Sequence, residues 1–350
     1  MQSNHACLYL PSTPFNLLLC FVDALSREED CILIYIDQKA ATPYISELEK
    51  LSCSPFKKVF SLYGKATAVQ KLKERKYNFN FLRSLIEQYD IDEVVVGSDR
   101  RIEFQFVMHE LRLKQKNVVA SYIDDGLYSY LAWQRPWWKY IANSLVKKLF
   151  YGLWWREPSM PGCSSYINQS ILISPEKALP CLLDKKVKTL DLSQFDNARL
   201  KNWTAMLLDA FQCNVAAVSN IDVCFILPHP NDLKKMPNYV ENLKSQIQSR
   251  IAQGQTVGVK YHPRVTDKDL LGLNQFDNIV LIPNALAFEF LIPFLNQHAD
   301  IIGDYTTVML TSKMLRGDLN VIASIETNNN YEQPLLSVMK LFGVTIVNKT

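Results

Sequence analysis

Two adjacent carboxylates and a glycine, Asp124-Asp125-Gly126, close an apolar run, Asn117-Val-Val-Ala-Ser-Tyr-Ile123. A buried strand that ends in acids presents them at the carboxyl edge of its sheet, where open α/β folds take their ligands. One carboxylate there can accept a proton while the other raises its affinity for it, because two close carboxylates resist ionising together. The same tripeptide also makes a turn, with Asp bonding its own backbone and Gly taking positive φ. Taken alone, Asp-Asp-Gly reads first as that turn; the clusters further along the chain bring the chemical reading forward.

In Lys260-Tyr261-His262-Pro263-Arg264, His262 leaves a strand at its carboxyl end and Pro263 prevents a helix from starting at once. An imidazole in that position can donate to a phosphate, although a lone loop histidine is more often a hydrogen-bonded turn residue. Glu289 is the only charge in the apolar segment that runs to Leu295, so it must find donors; ribose hydroxyls would serve, and so would a first helical turn. Gly303-Asp-Tyr-Thr306-Thr307 ends a strand, and two hydroxyls stand where the next helix begins. That combination makes an anion site or an ordinary N-cap. A second His-Pro pair, His229-Pro230, also follows a strand; His262 is preferred for the reactive role, and His229 could still touch a nucleotide.

These residues need two sets of elements to position them. Ala6–Leu10, Cys31–Ile36, Ile91–Val96 and 117–123 read as buried strands, with a helix from Asn16 to Leu25, which is a βαβ series and hence a parallel sheet. A second series contains Val223–Leu227, a helix over 238–253, and strands at Thr256–Lys260, 278–282 and Ala299–Gly303. The stretch 163–214 contains strand and helix fragments but few informative polar clusters, and the domain boundary is expected at its end. The expected architecture is α/β with two Rossmann-like domains, 1–214 and 215–350, facing across a deep cleft.

A chain of 350 residues, 48% hydrophobic and 21% charged, has the profile of a folded protein with room for two cores. Its net charge of +3 lacks the concentrated basic face of a nucleic-acid binder. The eight cysteines form no C-x-x-C pair, and several sit in strand-like runs, so they are expected to be buried free thiols in a reducing compartment. With no signal-peptide pattern at the start and no apolar run near the roughly 18 residues that span a bilayer, the expected location is cytoplasmic.

Residues 135–156, RPWWKYIANSLVKKLFYGLWWR, combine five cations with seven aromatic side chains and no acid. Either this is a helix packed on the sheet with snorkelling lysines, or it is an interfacial segment resting peripherally on the cytoplasmic face of the inner membrane.

Together the motifs resemble those of the bacterial GT-B sialyltransferases, the group with lipooligosaccharide sialyltransferases and polysialyltransferases. The acidic pair with Gly corresponds to Asp124-Asp125-Gly126, the His-Pro motif to His262-Pro263, the hydroxyl pair to Thr306-Thr307, and the ribose-binding acid to Glu289. The resemblance implies an inverting transfer of sialic acid from CMP-sialic acid to a glycan hydroxyl of lipooligosaccharide or capsular oligo- or polysialic acid. It assigns the base to Asp124 with Asp125 as its neighbour, phosphate donation to His262, phosphate binding to Thr306 and Thr307, ribose to Glu289, and cytosine to the backbone near Lys260 and Tyr261. Gly126 and Pro263, as members of the two motifs, are counted with the substrate-binding residues. No metal or cofactor is required in this scheme, and no nucleic acid takes part; the acceptor is a glycan, with a lipid-linked one favouring the interfacial reading of 135–156. Two alternatives stay open: a GT-B enzyme using another nucleotide sugar, and a non-catalytic nucleotide- or glycan-binding component of a polysaccharide assembly complex.

Overall fold

The computed structural model describes residues 5–36, 42–64, 66–132, 136–233, 236, 238–304, 306–325 and 333–348. The chain divides into two compact units, Met1–Leu200 and Lys201–Thr350. That division lies ahead of the expected boundary at 214/215, inside a helix, Ala198–Ala210. The residues on either side of it are tied differently. Arg199 donates through Nε to the Cys53 carbonyl, 2.6 Å away in the first unit. Trp203 meets the ring of Phe290 edge-on in the second.

The first unit carries strands β1 (His5–Leu10), β2 (Asp30–Ile36), β3 (Phe56–Leu62), β4 (Asp90–Val96), β5 (Val119–Ile123), β6 (Gln169–Leu172) and β7 (Lys186–Thr189). They pair in the order β3-β2-β1-β4-β5-β6-β7, every pair parallel. The continuous burial of β1 and β2 fits strands covered on both faces, which is why they read as apolar runs without alternation. The helices are α1 (Pro14–Leu25), α2 (Thr42–Lys50), α3 (Ala68–Gln88), α4 (Ile102–Leu113), α5 (Leu127–Tyr130), α6 (Trp137–Tyr151), α7 (Pro180–Leu183) and α8 (Ala198–Ala210), the last running into the second unit. Pro14 opens α1, and Thr13 caps it by accepting from the Asn16 N–H.

The second unit adds α9 (Val215–Ser219), α10 (Pro230–Leu233), α11 (Tyr239–Ala252), α12 (Thr307–Leu315) and α13 (Gln333–Leu341) around β8 (Val223–Ile226), β9 (Val257–Lys260), β10 (Ile279–Ile282), β11 (Asp300–Gly303), β12 (Asn320–Ile325) and β13 (Thr345–Asn348). Its sheet is ordered β10-β9-β8-β11-β12-β13 and is again parallel throughout. Val223, Phe225, Val257, Val259, Leu243 and Ile247 belong to its core. In each sheet the order turns back beside the first strand of the unit, β1 against β4 and β8 against β11. These are the switch points where crevices open at the carboxyl ends of strands.

The stretch 163–214 holds the strand and helix fragments expected of it, among them β6 and β7 of four residues each. Two readings of the sequence need correcting. Glu289 sits in a 3-10 turn, Phe288–Phe290, and not at the start of a helix. The thiols are not all free: Cys163 and Cys181 form a disulfide, while Cys7, Cys20, Cys31, Cys53, Cys213 and Cys224 are free. The pairing is tertiary in origin, since the Gly162 loop lies against Leu182 of α7 and the ring of Tyr122 on β5.

That packing makes Gly162 irreplaceable by a side chain. Its φ is +79°, and a Cβ would come within 2.6 Å of Leu182 and 2.7 Å of Tyr122. Gly162→Ala is expected to lower unfolding free energy by about 2 kcal/mol or more, read from urea denaturation.

Candidate active site

At the end of β5 the two carboxylates of the acidic motif have different fates. Asp124 is fully buried, and its Oδ1 accepts from the Gly126 N–H at 2.9 Å. Its Oδ2 accepts from the Ile173 N–H at 3.1 Å and from the Tyr130 hydroxyl. Gly126 holds φ +64°, which a side chain would resist. Asp124 therefore builds the turn, and the turn reading of the tripeptide is correct for this residue. Asp125 points elsewhere: its Oδ1 accepts only from Asn16 Nδ2, at 3.1 Å, and its Oδ2 has no hydrogen bond among the described residues. Burial pushes its carboxyl up to about 7; the Asn16 hydrogen bond and the charge of Arg101 pull downward, and Asp124 adds to the rise. Asp124 is raised as well, chiefly by burial.

The supporting residues were not apparent as site residues. Asn16, wholly buried in the apolar helix α1, bonds the Asp124 carbonyl at 2.9 Å as well as the Asp125 carboxylate. Gly97, at the end of β4, leaves room for it, since a Cβ there would lie 2.1 Å from Asn16 Oδ1. Arg101, just before α4, bonds the Ser12 carbonyl at 3.0 Å. Asn16 follows β1, Gly97 and Arg101 follow β4, and Asp125 follows β5, so the group occupies the switch point of this sheet. The one visible signal was a single amide in the run Phe15-Asn16-Leu17-Leu18-Leu19.

In the second unit the candidates follow three neighbouring strands. His229 comes after β8, His262 after β9 and Thr306 after β11, all at carboxyl ends. The two imidazoles meet edge to face with centroids 4.8 Å apart. Each Nδ1 accepts a backbone N–H at 3.1 Å, His229 from Asn231 and His262 from Arg264, so in a neutral His262 the proton is on Nε2. Arg264 Nη1 lies 3.4 Å from His229 Nε2. His262 is held below its ordinary pKa, first by burial and then by His229, Arg264 and Lys260. A nearby anion would act in the opposite direction. Pro263 sits in the turn that the Val265 N–H closes onto the His262 carbonyl at 2.9 Å.

Thr306 is the N-cap residue of α12 but makes no side-chain capping bond, and its buried hydroxyl has no hydrogen-bond partner among the described residues. Thr307, exposed, begins the helix. A buried hydroxyl left open beside helix N–H groups is a place for an anionic oxygen. Gly303 at the end of β11 allows close packing on β8, because a Cβ would be 2.8 Å from the Ile226 carbonyl.

Glu289 is buried and accepts from Thr311 Oγ1 of α12 at 2.9 Å; burial raises its pKa. Lys260 is buried too, held down to about 8 by desolvation, and its Nζ donates to the carbonyls of Tyr261 and Asn284 at 3.0 and 2.9 Å. The Tyr261 ring belongs to the core, with its hydroxyl on Asp269 at 3.2 Å. Among the described residues, two groups have spacing suited to a metal, His5-Asp90-Asp92 and Cys7-Glu29-Glu93, and neither includes the acidic motif.

Residues 8–324 match the model of the alpha-2,8-polysialyltransferase family. The chain belongs to that family. It is a glycosyltransferase of sialyltransferase type, which implies a nucleotide-sugar donor and a glycan acceptor. No curated protein sequence matches it. Among solved structures, it resembles the UDP-GlcNAc 2-epimerase from Methanocaldococcus jannaschii, with a TM-score of 0.54, 14% identity, and coverage of 99% of this chain and 88% of that one. A second UDP-N-acetylglucosamine 2-epimerase gives 0.52 at 11% identity over 96% and 82%. At these identities the likeness establishes the fold, two Rossmann-like α/β domains of the GT-B class.

The two carboxylates separate in a stability measurement. Asp124→Ala strands three donors and is expected to cost about 3 kcal/mol. Asp125 works the other way: a folded pKa raised to about 7 from 3.8 means the folded state holds the proton more tightly, so its contribution to stability falls as pH rises through that window. Asp125→Asn should remove this slope and leave stability at neutral pH equal or higher, measured by denaturant titration across pH.

Proposed function

We propose that the enzyme is an inverting sialyltransferase that moves sialic acid from CMP-sialic acid to a hydroxyl of a cell-surface glycan, lipooligosaccharide or capsular oligo- or polysialic acid. The observation that carries this reading is the open Asp125 carboxylate, whose pKa of about 7 suits a base working near neutrality. Asp125 takes the proton of the acceptor hydroxyl. The acceptor oxygen bonds to the anomeric carbon as the bond to the CMP phosphate breaks, and the electron pair leaves with CMP. His262, with its proton on Nε2, donates to the departing phosphate, and Thr306 and Thr307 hold the same group through hydroxyl and helix N–H donors. His229 and Arg264 add donors beside His262. Glu289 takes the ribose hydroxyls, and the backbone at Lys260 and Tyr261 takes cytosine. The scheme calls on no metal, since the one negative charge that the phosphate gains as it leaves can be met by these donors.

The role of base passes here from Asp124, assigned by resemblance, to Asp125. A carboxylate with three donors on it is a poor base, because each bond favours the ionised form and must be given up on protonation. Asp125 has one such bond to give up.

Asp125→Asn and His262→Ala are each expected to lower kcat by roughly 10²-fold or more with CMP-sialic acid and a panel of galactosides and oligosialic acids, products read by mass. Normal turnover by the purified Asp125 variant would remove the base from this scheme, and release of UDP in place of CMP in a donor screen would overturn the donor. The acid limb of kcat/KM should fall near pH 7. Asn16→Ala, which deletes a bond favouring the carboxylate, should move that limb upward in pH. Thr306→Val should raise donor KM about ten-fold with a smaller effect on kcat.

A further inference from the structure

The helix α6 is built the opposite way round from a helix on a water-facing surface. None of its residues is buried. Its inner side is fastened by polar groups: the Tyr140 hydroxyl donates to the Glu157 carbonyl at 2.9 Å, and Asn143 Nδ2 to the Glu157 carboxylate at 2.8 Å. Trp155 Nε1 holds the other oxygen of that carboxylate, and Lys147 Nζ stands 4.1 Å from the centroid of the Trp155 ring. At 100° per residue the outer side collects Trp138, Ile141, Leu145, Val146, Leu149 and Phe150, all exposed, with Leu149 at 83%. Leu153 continues the face at 82% exposure. A helix with polar contacts inward and an apolar face outward is stable where the medium beyond it is not water.

Charge identifies the medium. From Pro136 to Arg156 the chain carries Lys139, Lys147, Lys148 and Arg156 and no acid. Lys71 of α3 lies within electrostatic reach of Lys147, whose own charge is partly met by Glu157; Arg75 of α3 stacks on Tyr151 of α6 at 5.5 Å but is paired with Glu103, so it is Lys71 that carries the cationic border onto the neighbouring helix. Lys139 lies over the Trp138 ring at 5.2 Å, at the margin of the apolar face. Tryptophan and lysine together favour the headgroup layer of a bilayer, where the ring is half solvated and the ammonium meets phosphate. Among the described residues no helix is long and apolar enough to cross a membrane. Face-to-face pairing of two copies would instead bring like charges together.

We propose that α6 lies in the surface of an anionic phospholipid bilayer, its outer face among the acyl chains and the cations of α6 and α3 on the headgroups. The test is flotation of the full-length protein with vesicles of phosphatidylcholine alone or with added phosphatidylglycerol. The protein is expected to float with the anionic vesicles, less so as salt is raised, and hardly with the neutral ones. Leu145→Glu/Leu149→Glu should reduce flotation by about ten-fold while leaving the melting curve and transfer to a soluble acceptor unchanged. Lys139→Glu/Lys148→Glu, which spares the apolar face, should weaken it too. Absence of flotation with anionic vesicles, equal flotation with neutral ones, or a dimer in sedimentation that the leucine double variant dissociates without any vesicle binding would each overturn the proposal.

Discussion

The Asp124 carboxylate is the constraint around which the first unit's loops are arranged. Three donors converge on it from three places in the chain: the Gly126 N–H one turn on, the Tyr130 hydroxyl from α5 and the Ile173 N–H just past β6. A buried carboxylate is tolerable only with such company, and in return it joins the end of β5 to the end of β6. The following residue is thereby placed by backbone geometry alone. Asp125 needs no partner of its own to be positioned, so its carboxylate can stay open, with Asn16 steadying one oxygen.

The same logic recurs in the second unit with different groups. The His229 and His262 rings are each oriented by a backbone N–H on Nδ1, which leaves the Nε2 of His262 unused by the turn, while the Nε2 of His229 meets Arg264. Thr306 is the counterpart in hydroxyl form, an N-cap residue whose side chain leaves its own helix uncapped. In both units local bonds that belong to the turn prepare a polar atom that the turn does not use. Parallel sheets make this economical, since every strand ends on the same edge and successive loops there lie about one strand spacing apart.

The α6 face has a separate physical origin. Nothing in the proposed site needs Leu145, Val146 or Leu149, and a helix on a water-facing surface would turn them inward. Instead Tyr140, Asn143 and Lys147 are turned inward and satisfied by Glu157 and Trp155. That arrangement ties the helix by its polar side and leaves the apolar side to the surroundings.

Much of this was legible in the chain itself. The βα alternation announced two parallel sheets, because buried parallel strands read as short apolar runs and each must be followed by a crossover. The polar residues that end those runs marked the switch-point loops, and the tripeptide Asp124-Asp125-Gly126 announced both a turn and an acid. What it could not announce was the division of labour. Whether an oxygen is engaged depends on donors such as Ile173 and Asn16, far away in sequence and brought close only by the order of strands. The Cys163–Cys181 pair, the approach of His229 to His262 and the outward turn of α6 are of the same kind. Residue type and period specify which groups exist and which element carries them. Which of them are used up, and which remain open, is decided when the fold brings distant partners within hydrogen-bonding distance.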